Sequence, residues 1–115
     1  MMTRAAQQLV FSDMHKLKIA AAALQECRWE KQEVANKVDG YVCYGGGAWT
    51  NSRGALIGGA VVAIHSSIAN AVRKHEHRIG RIQLVQIEGK FGVNFIIGCL
   101  YYPTASDSEQ EKNKF

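Results

Sequence analysis

The stretch RIQLVQIEGKFGVNFIIGCLYY, residues 81–102, contains two apolar runs separated by Glu88-Gly89-Lys90. β-Branched and aromatic residues are frequent in both runs, and a short connection that contains glycine is typical of a hairpin. We therefore predict two paired strands. The segment AVVAIHSSI, residues 60–68, is also rich in β-branched residues and predicts an earlier strand of the same meander.

The segment before these strands is rich in glycine. Residues 45–59 read GGGAWTNSRGALIGG, a composition that predicts a long hairpin connection. A phosphate-binding loop is excluded, because no Lys-Ser or Lys-Thr pair follows the three glycines and no GxGxxG pattern opens a helix. Upstream, YVCY at 41–44 predicts a strand, and KQEVANKVDG at 31–40 predicts a short helix that ends in an Asp39-Gly40 turn.

The N-terminal part predicts a helix followed by a strand. Thr3 is a suitable helix cap. Apolar residues then recur at the spacing of one buried helix face, and these are Ala6, Leu9, Val10, Met14 and Leu17. The run IAAAAL at 19–24 could continue the helix on alanine propensity, but it is short and wholly apolar, as in a buried parallel strand, and a strand over 18–24 is the favoured interpretation. With a final helix capped by Ser106 or Asp107, the predicted fold class is mixed α/β.

Composition limits the class of protein. The chain has 115 residues, enough for one domain, with 14 Lys and Arg against 10 Asp and Glu and a net charge of +4. No apolar stretch approaches the roughly 20 residues of a membrane helix, and the N-terminus lacks the apolar region of a secretory signal. We therefore expect an intracellular protein, nuclear or cytoplasmic, without membrane contact. Its three unclustered cysteines predict reduced thiols.

Positive charge is densest in the middle of the chain. The basic residues there are Arg73, Lys74, Arg78 and Arg81, with His75 and His77 between them. A solvated loop is the favoured interpretation, and contact with nucleic acid is the alternative. A metal site at His75 and His77 is disfavoured, because no third ligand lies nearby in sequence. His15 and His65 are isolated in sequence and have no partner at an informative spacing.

Glu26 directly follows the predicted 18–24 strand. A carboxylate at the end of a buried strand lies where ligands and metals bind in α/β folds. The alternative is a surface ion pair with Arg28 or Lys31. The adjacent Cys27 is predicted to pack in the core, since no base or helix N-terminus that would activate a thiol is near it in sequence.

Several segments together resemble the endonuclease/exonuclease/phosphatase superfamily, in its branch of non-LTR retrotransposon and craniofacial-development-protein-2-like sequences. AALQECRW at 22–29 resembles the branch's "ALQE(T)RW" signature. The glycine-rich segment at 44–68 resembles its hairpin and following strand, and HRIGRIQLV at 77–85 resembles its "(D)RI" strand. FIIGCLYYPTASDSEQEKNKF at 95–115 resembles its "IISVYAPT" strand and acidic helix. The four segments occur in the family's order and spacing.

The resemblance implies a four-layer α/β sandwich that hydrolyses phosphodiester or phosphomonoester bonds with Mg²⁺. It implies that Glu26 is a metal ligand and that the Tyr101 hydroxyl faces the scissile phosphate. A hard cation prefers carboxylate oxygen, and a phenol can donate a hydrogen bond to a phosphate. Taken from the residues alone, Tyr101 instead packs against Tyr102 or Phe95. DNA or another phosphoester is the implied substrate.

The sequence also departs from the family. Tyr102 stands where the family has a small residue, no strand carrying Asn precedes Met1, and no Asp-x-Asn or Asp-His motif occurs. We therefore expect residues 1–115 to be an incomplete, retrotransposon-derived nuclease domain that lacks its first strand and C-terminal half and is inactive alone. A non-catalytic nucleic-acid-binding module and a functionless relic are the alternatives. Exposed strand edges predict instability or self-association.

Overall fold

The computed structural model describes residues 4–25, 27–78 and 82–100. In these residues one α-helix, α1 (Arg4–Lys16), precedes all the strands. The strands are β1 (Ala21–Leu24), β2 (Glu33–Val38), β3 (Tyr41–Gly46), β4 (Trp49–Thr50), β5 (Leu56–Ile57), β6 (Ala60–His65), β7 (Val72–Arg78), β8 (Ile82–Glu88) and β9 (Asn94–Leu100). The mixed α/β class is confirmed. Thr3, Ser106 and Asp107, predicted as helix caps, lie outside the described residues.

The strands form a central sheet, a small ribbon and a meander. The central sheet has the order β1-β6-β3-β2, the ribbon pairs β4 with β5, and the meander has the order β7-β8-β9. The strand predicted at 60–68 is therefore confirmed as a strand, but its predicted place in the meander is wrong, because β6 pairs with β1 and β3. Every strand pair in the described residues is antiparallel. The parallel pairing predicted for the 18–24 strand is therefore wrong. β1 is apolar because its side chains pack into the core on both faces of the sheet. A strand that is buried on both faces is apolar whether its neighbouring strand is parallel or antiparallel.

Both faces of the central sheet are apolar because side chains alternate along its strands. On β3, Tyr41 and Cys43 face α1, whereas Val42 and Tyr44 face the meander. The layer under α1 is completed by Phe11, Met14, Cys27, Val61 and Ala63. The layer against the meander is completed by Ala60, Val62, Ile64, Val85 and Cys99. The helix, the central sheet and the meander therefore form three stacked layers.

The buried face of α1 differs from the predicted one. Met14 and Val10 pack against the core, but Leu9 is 64% exposed and Phe11 is completely buried. Successive helical residues are about 100° apart, so Leu9 and Phe11 point to nearly opposite sides. The large aromatic ring decides which side faces the sheet, because it buries more apolar area than a leucine does. Leu17 lies beyond the end of the helix and is exposed.

The helix predicted for residues 31–40 is wrong, since this segment forms β2. The predicted Asp39-Gly40 turn is confirmed, and both residues have positive φ, 47° and 87°. Val38 pairs with Tyr41 across it, so the turn is a two-residue hairpin connection, for which Asp-Gly is well suited. This turn folds residues 33–38 back against β3, whose side chains are all buried. Residues 33–38 form a strand and not a helix because pairing with β3 stabilises them more than their weak helical pattern does.

The basic stretch is a strand and not the predicted solvated loop. β7 pairs with β8 from Val72 to Arg78, with one register shift near its start. Its backbone is held by the apolar neighbour β8, and as the outer strand of the meander it tolerates polar side chains. The long hairpin connection predicted for 45–59 is confirmed, because it contains the β4–β5 ribbon between β3 and β6.

The outer face of the meander carries uncovered apolar side chains. Leu84, Ile96 and Leu100 are 37%, 70% and 52% exposed. In the described residues β9 also pairs with β8 on one side only. Unpaired apolar strand edges are templates for association between chains, so the self-association that we predict has an identifiable surface.

Candidate functional site

Three of the six site residues predicted from sequence lie outside the described residues, namely Glu26, Arg81 and Tyr101. The other three, Arg73, Lys74 and Arg78, all belong to β7. The geometry of the candidate site is therefore built from the chain neighbours of Glu26 and Tyr101. These neighbours are the last residues of β1 and β9 and the segment that begins at Cys27.

The ends of β1 and β9 are in direct contact. The Gln25 side-chain amide donates a hydrogen bond to the Leu100 carbonyl oxygen. The Cys99 thiol donates another to the Leu24 carbonyl oxygen, with 3.3 Å between Sγ and O. Because β1 belongs to the central sheet and β9 to the meander, the two sheets meet at this corner.

The glycine-rich connection holds the segment that follows position 26. The Cys27 amide donates to the Gly59 carbonyl oxygen at 3.1 Å, and the Arg28 amide donates to that of Gly58 at 3.0 Å. At Gly59 φ is +87°, and a Cβ there would lie 2.9 Å from the Arg28 nitrogen. The glycine therefore permits a close approach of the two backbone segments.

A buried polar network lies beside the same corner. Gln83, opposite Cys99 in the pairing of β8 and β9, is completely buried. It exchanges two hydrogen bonds with the side-chain amide of Gln32, at 3.0 and 3.1 Å. His75 Nε2 lies 2.8 Å from Gln83 Oε1. Because each amide of this network is satisfied, the network fixes β8 against the segment that precedes β2.

The basic side chains of β7 are partly neutralised by carboxylates. Arg73 Nε lies 2.6 Å from Glu88 Oε2, and Lys74 Nζ lies 2.8 Å from Glu76 Oε1. The hydrogen bond with Glu76 raises the pKa of Lys74, and the same bond lowers the pKa of Glu76. These exposed pairs reduce the positive charge that β7 presents to a polyanion.

Histidine contacts are the main feature that the sequence did not predict. His75 and His77 lie on one face of β7 with ring centres 5.3 Å apart, as the i, i+2 spacing on a strand requires. His15 and His65, which look isolated in sequence, also meet, with ring centres 5.1 Å apart. Fifty positions separate them, so no local pattern could have paired them. In the described residues, no group of three or more His, Cys, Asp or Glu side chains surrounds a possible metal position.

The three cysteines are thiols buried in the two core layers. Cys27, Cys43 and Cys99 are all buried and form no disulfide, as predicted for reduced thiols. Burial, and then the Asp39 carboxylate, raises the pKa of Cys43 to about 12. Burial also raises the pKa of Cys99. A thiol that stays protonated near neutral pH is a poor nucleophile, so the packing role predicted for Cys27 applies to the other two as well.

The burial of Cys43 predicts a loss of stability in alkaline solution. Its thiol ionises near pH 12 in the folded protein, whereas a thiol in an unfolded chain ionises near about pH 8.5. Above about pH 8.5 the unfolded state releases a proton that the folded state keeps, so the free energy of unfolding falls as pH rises. The maximum slope is about 1.4 kcal/mol per pH unit. Below about pH 8.5 this contribution to stability is fully present.

Urea unfolding across the range from about pH 7 to about pH 10 measures this effect. The Cys43→Ala variant should lose part of the alkaline slope, and Cys99, whose pKa is also raised, should account for some of the remainder. An alkaline slope that is identical in the wild type and in Cys43→Ala would contradict the prediction.

Comparisons with protein-family models, with curated proteins and with solved structures find no match to this chain. Within the described residues, no helix is both long enough and apolar enough to cross a membrane.

Proposed function

We propose that the corner where β1 and β9 end binds a divalent cation and a phosphodiester, as in the metal-dependent nucleases that the sequence resembles. In this proposal Glu26 contributes a carboxylate ligand to Mg²⁺, and Tyr101 donates a hydrogen bond to the phosphate. DNA is the substrate class that the resemblance favours.

One observation carries the proposal. The residues that immediately precede Glu26 and Tyr101, Gln25 and Leu100, are joined by a hydrogen bond although they are 75 positions apart. The contact between Leu24 and Cys99 supports the same alignment one residue earlier. Consecutive Cα atoms are about 3.8 Å apart, so a contact between these neighbours supports a shared site for Glu26 and Tyr101.

The donor set suits a hydrated Mg²⁺ site. Magnesium usually keeps several waters and binds to one or two carboxylates together with substrate phosphate oxygens. A single carboxylate from this chain is consistent with that pattern. When bound, the cation would neutralise charge on the phosphate, and the protein would contribute the Glu26 carboxylate and the Tyr101 hydroxyl.

The fold is consistent with this proposal. The family's sandwich has two sheets flanked by helices, and here α1, the central sheet and the meander follow one another in the order of three of those four layers. We propose that these three layers correspond to the sandwich of that superfamily. The supporting feature is the packing of two antiparallel sheets face to face, with the helix on the outer side of one of them.

Turnover by this chain should be close to the uncatalysed rate. The sequence contains no Asp-x-Asn or Asp-His motif, which in the family bind the phosphate and activate water. A positioned general base alone contributes about 10² to 10⁴ in rate. The chain is therefore proposed to bind metal and phosphodiester but to cleave slowly.

Titration with Mn²⁺, followed by electron paramagnetic resonance, tests the metal site, because Mn²⁺ occupies oxygen-rich magnesium sites. We expect Mg²⁺ to displace the bound Mn²⁺. The Glu26→Gln variant should bind at least about tenfold more weakly, since it loses the charged ligand. Glu30→Gln, which changes an exposed carboxylate four positions away, is the matched control. Equal binding by the wild type and Glu26→Gln would contradict the proposal.

Plasmid nicking in Mg²⁺ tests the expected low turnover. Rapid nicking that Glu26→Gln abolishes would disprove the slow-cleavage part of the proposal while supporting the site. A nucleic-acid-binding module would give a different result. Its DNA binding would weaken as the salt concentration rises and in the Arg78→Ala variant, but it would be unchanged in Glu26→Gln. The ion pairs of Arg73 and Lys74 make this second result the less expected one.

A further inference from the structure

Two histidines from distant parts of the chain meet at the opposite end of the central sheet from the β1–β9 corner. His15 lies in the last turn of α1, and His65 is the last residue of β6. The His65 amide donates a hydrogen bond to the carbonyl oxygen of Ala20, directly before β1 begins, whereas the β1–β9 corner lies where β1 ends.

The spacing of the two imidazoles matches that of two ligands on one metal ion. His15 Nδ1 and His65 Nε2 are 3.2 Å apart, and the ring centres are 5.1 Å apart. Two imidazoles on one tetrahedral Zn²⁺, with Zn–N distances of about 2.0–2.1 Å, hold their nitrogens about 3.3 Å apart and their ring centres about 5.2 Å apart. Both separations therefore agree with shared coordination.

Ser67 contacts the second ring nitrogen of His65, Nδ1. His65 Nδ1 lies 2.8 Å from the Ser67 hydroxyl oxygen. A histidine that binds metal through one ring nitrogen usually donates the other N–H to an oxygen, which fixes the ring orientation. The Ser67 backbone N–H also donates to His65 Nδ1, at 3.2 Å. With a metal at Nε2, the His65 proton would therefore lie on Nδ1 and be donated to Ser67 Oγ in place of that bond.

The surroundings hold His65 in place and leave the pair accessible. The Tyr41 ring meets the His65 ring edge-on at 5.2 Å, and the Tyr41 hydroxyl donates to the Ile19 carbonyl oxygen at 2.6 Å. A cavity of about 320 Å³, lined by both histidines, Lys18 and Ser67, opens beside the pair. It has room for water molecules as the remaining ligands.

We propose that His15 and His65 form a binding site for a borderline transition-metal ion of the Zn²⁺ class, completed by water. Imidazole nitrogen favours Zn²⁺, Cu²⁺ and Ni²⁺, whereas Mg²⁺ prefers oxygen ligands. The site is thus chemically distinct from the proposed magnesium site and does not depend on it. On binding, each histidine supplies one nitrogen lone pair, and the hydrogen between the two rings moves to the other nitrogen of the ring that carries it, so two neutral imidazoles bind the ion without net release of a proton.

Such an ion would connect α1 to β6. Because metal binds the folded arrangement of both histidines, its binding free energy stabilises the folded state. The melting temperature of the wild type should therefore rise with Zn²⁺ concentration, and Mg²⁺ at the same concentration should give no such rise through these histidines.

Calorimetric Zn²⁺ titration and thermal unfolding of the full chain test the proposal. His15→Ala and His65→Ala should each reduce Zn²⁺ affinity at least about tenfold and remove the zinc-dependent rise in melting temperature. His77→Ala, which removes an exposed imidazole stacked on His75, is the matched control and should retain both effects. Zinc binding that survives in His15→Ala, or that His77→Ala abolishes, would overturn the proposal.

A measurement on the wild type keeps the test independent of how the variants fold. In NMR spectra, diamagnetic Zn²⁺ should shift the imidazole resonances of His15 and His65 while those of His75 and His77 stay unchanged. Co²⁺ should give the visible absorption of a site with nitrogen ligands. Shifts confined to His75 and His77, or no shift at all, would disprove the His15–His65 site.

Discussion

Phe11→Ala should lower the free energy of unfolding by about 3–5 kcal/mol, the usual cost of removing a buried phenylalanine ring. Phe11 is completely buried, and its ring centre lies 5.5 Å from that of Tyr41. Its loss leaves a cavity between α1 and the central sheet that the rigid strands cannot fill. A domain has only about 5–15 kcal/mol of stability in total, so we expect a large fall in the urea midpoint.

Leu9→Ala is the matched control for this prediction. It removes an apolar side chain from the same helix, two residues away, but Leu9 is 64% exposed. The change should be within about 0.5 kcal/mol, as for most surface substitutions. If the two variants were equally destabilised, the orientation of α1 described above would be wrong.

Gly45→Ala should destabilise the protein almost as strongly. Gly45 lies in the middle of the central sheet with φ +151°, and a Cβ there would lie 2.1 Å from the Ala60 carbonyl oxygen. The neighbouring atom belongs to the backbone of β6, so the clash can be relieved only by moving a paired strand. Backbone strain of about 1–3 kcal/mol and overpacking of about 1–3 kcal/mol should add.

Gly54→Ala separates the effect of the clash from that of the backbone angle. Gly54 also has positive φ, +80°, but no heavy atom lies within 4 Å of a Cβ placed there. We therefore expect only the conformational cost, about 1–2 kcal/mol. Thermal or urea unfolding of both variants measures the difference, and a Gly54→Ala variant as unstable as Gly45→Ala would show that the clash is unimportant.

The sequence correctly predicts the strands that can be recognised from their own residues. β3, β6, β8 and β9 are apolar and rich in β-branched or aromatic residues, and each lies where the pattern predicts a strand. The Asp39-Gly40 turn is equally local, because its two positive φ angles suit that dipeptide. Local chemistry was sufficient in these cases.

The errors occur where a neighbouring strand decides the conformation. β2 and β7 have weak or polar patterns, and they become strands because β3 and β8 offer them backbone hydrogen bonds. The direction of the partner of β1 and the choice of Phe11 over Leu9 are also tertiary effects. Both depend on which layers cover the central sheet, and periodicity does not contain that information.

The sequence predicts less of the candidate site than of the strands. The assignment of Glu26 and Tyr101 came from a resemblance and stays a prediction, although the described neighbours of both residues meet at one corner. The Gln32–Gln83 pair and the His15–His65 pair join residues about fifty positions apart. Each pairing depends on how the sheets and the helix are placed, so single-sequence reasoning had no means of finding it.

The contact between Leu24 and Cys99 has a consequence for how the chain acquires its structure. The partners are 75 positions apart, and the partner strand of β1, β6, is also distant in sequence. Contacts of long sequence separation form slowly because a large loop must close first. During synthesis the corner formed by β1 and β9 cannot close until β9 has left the ribosome. Until then the apolar strands β3 and β6 lack their covering layer, and this is the interval in which a nascent chain is most exposed to aggregation or to chaperones.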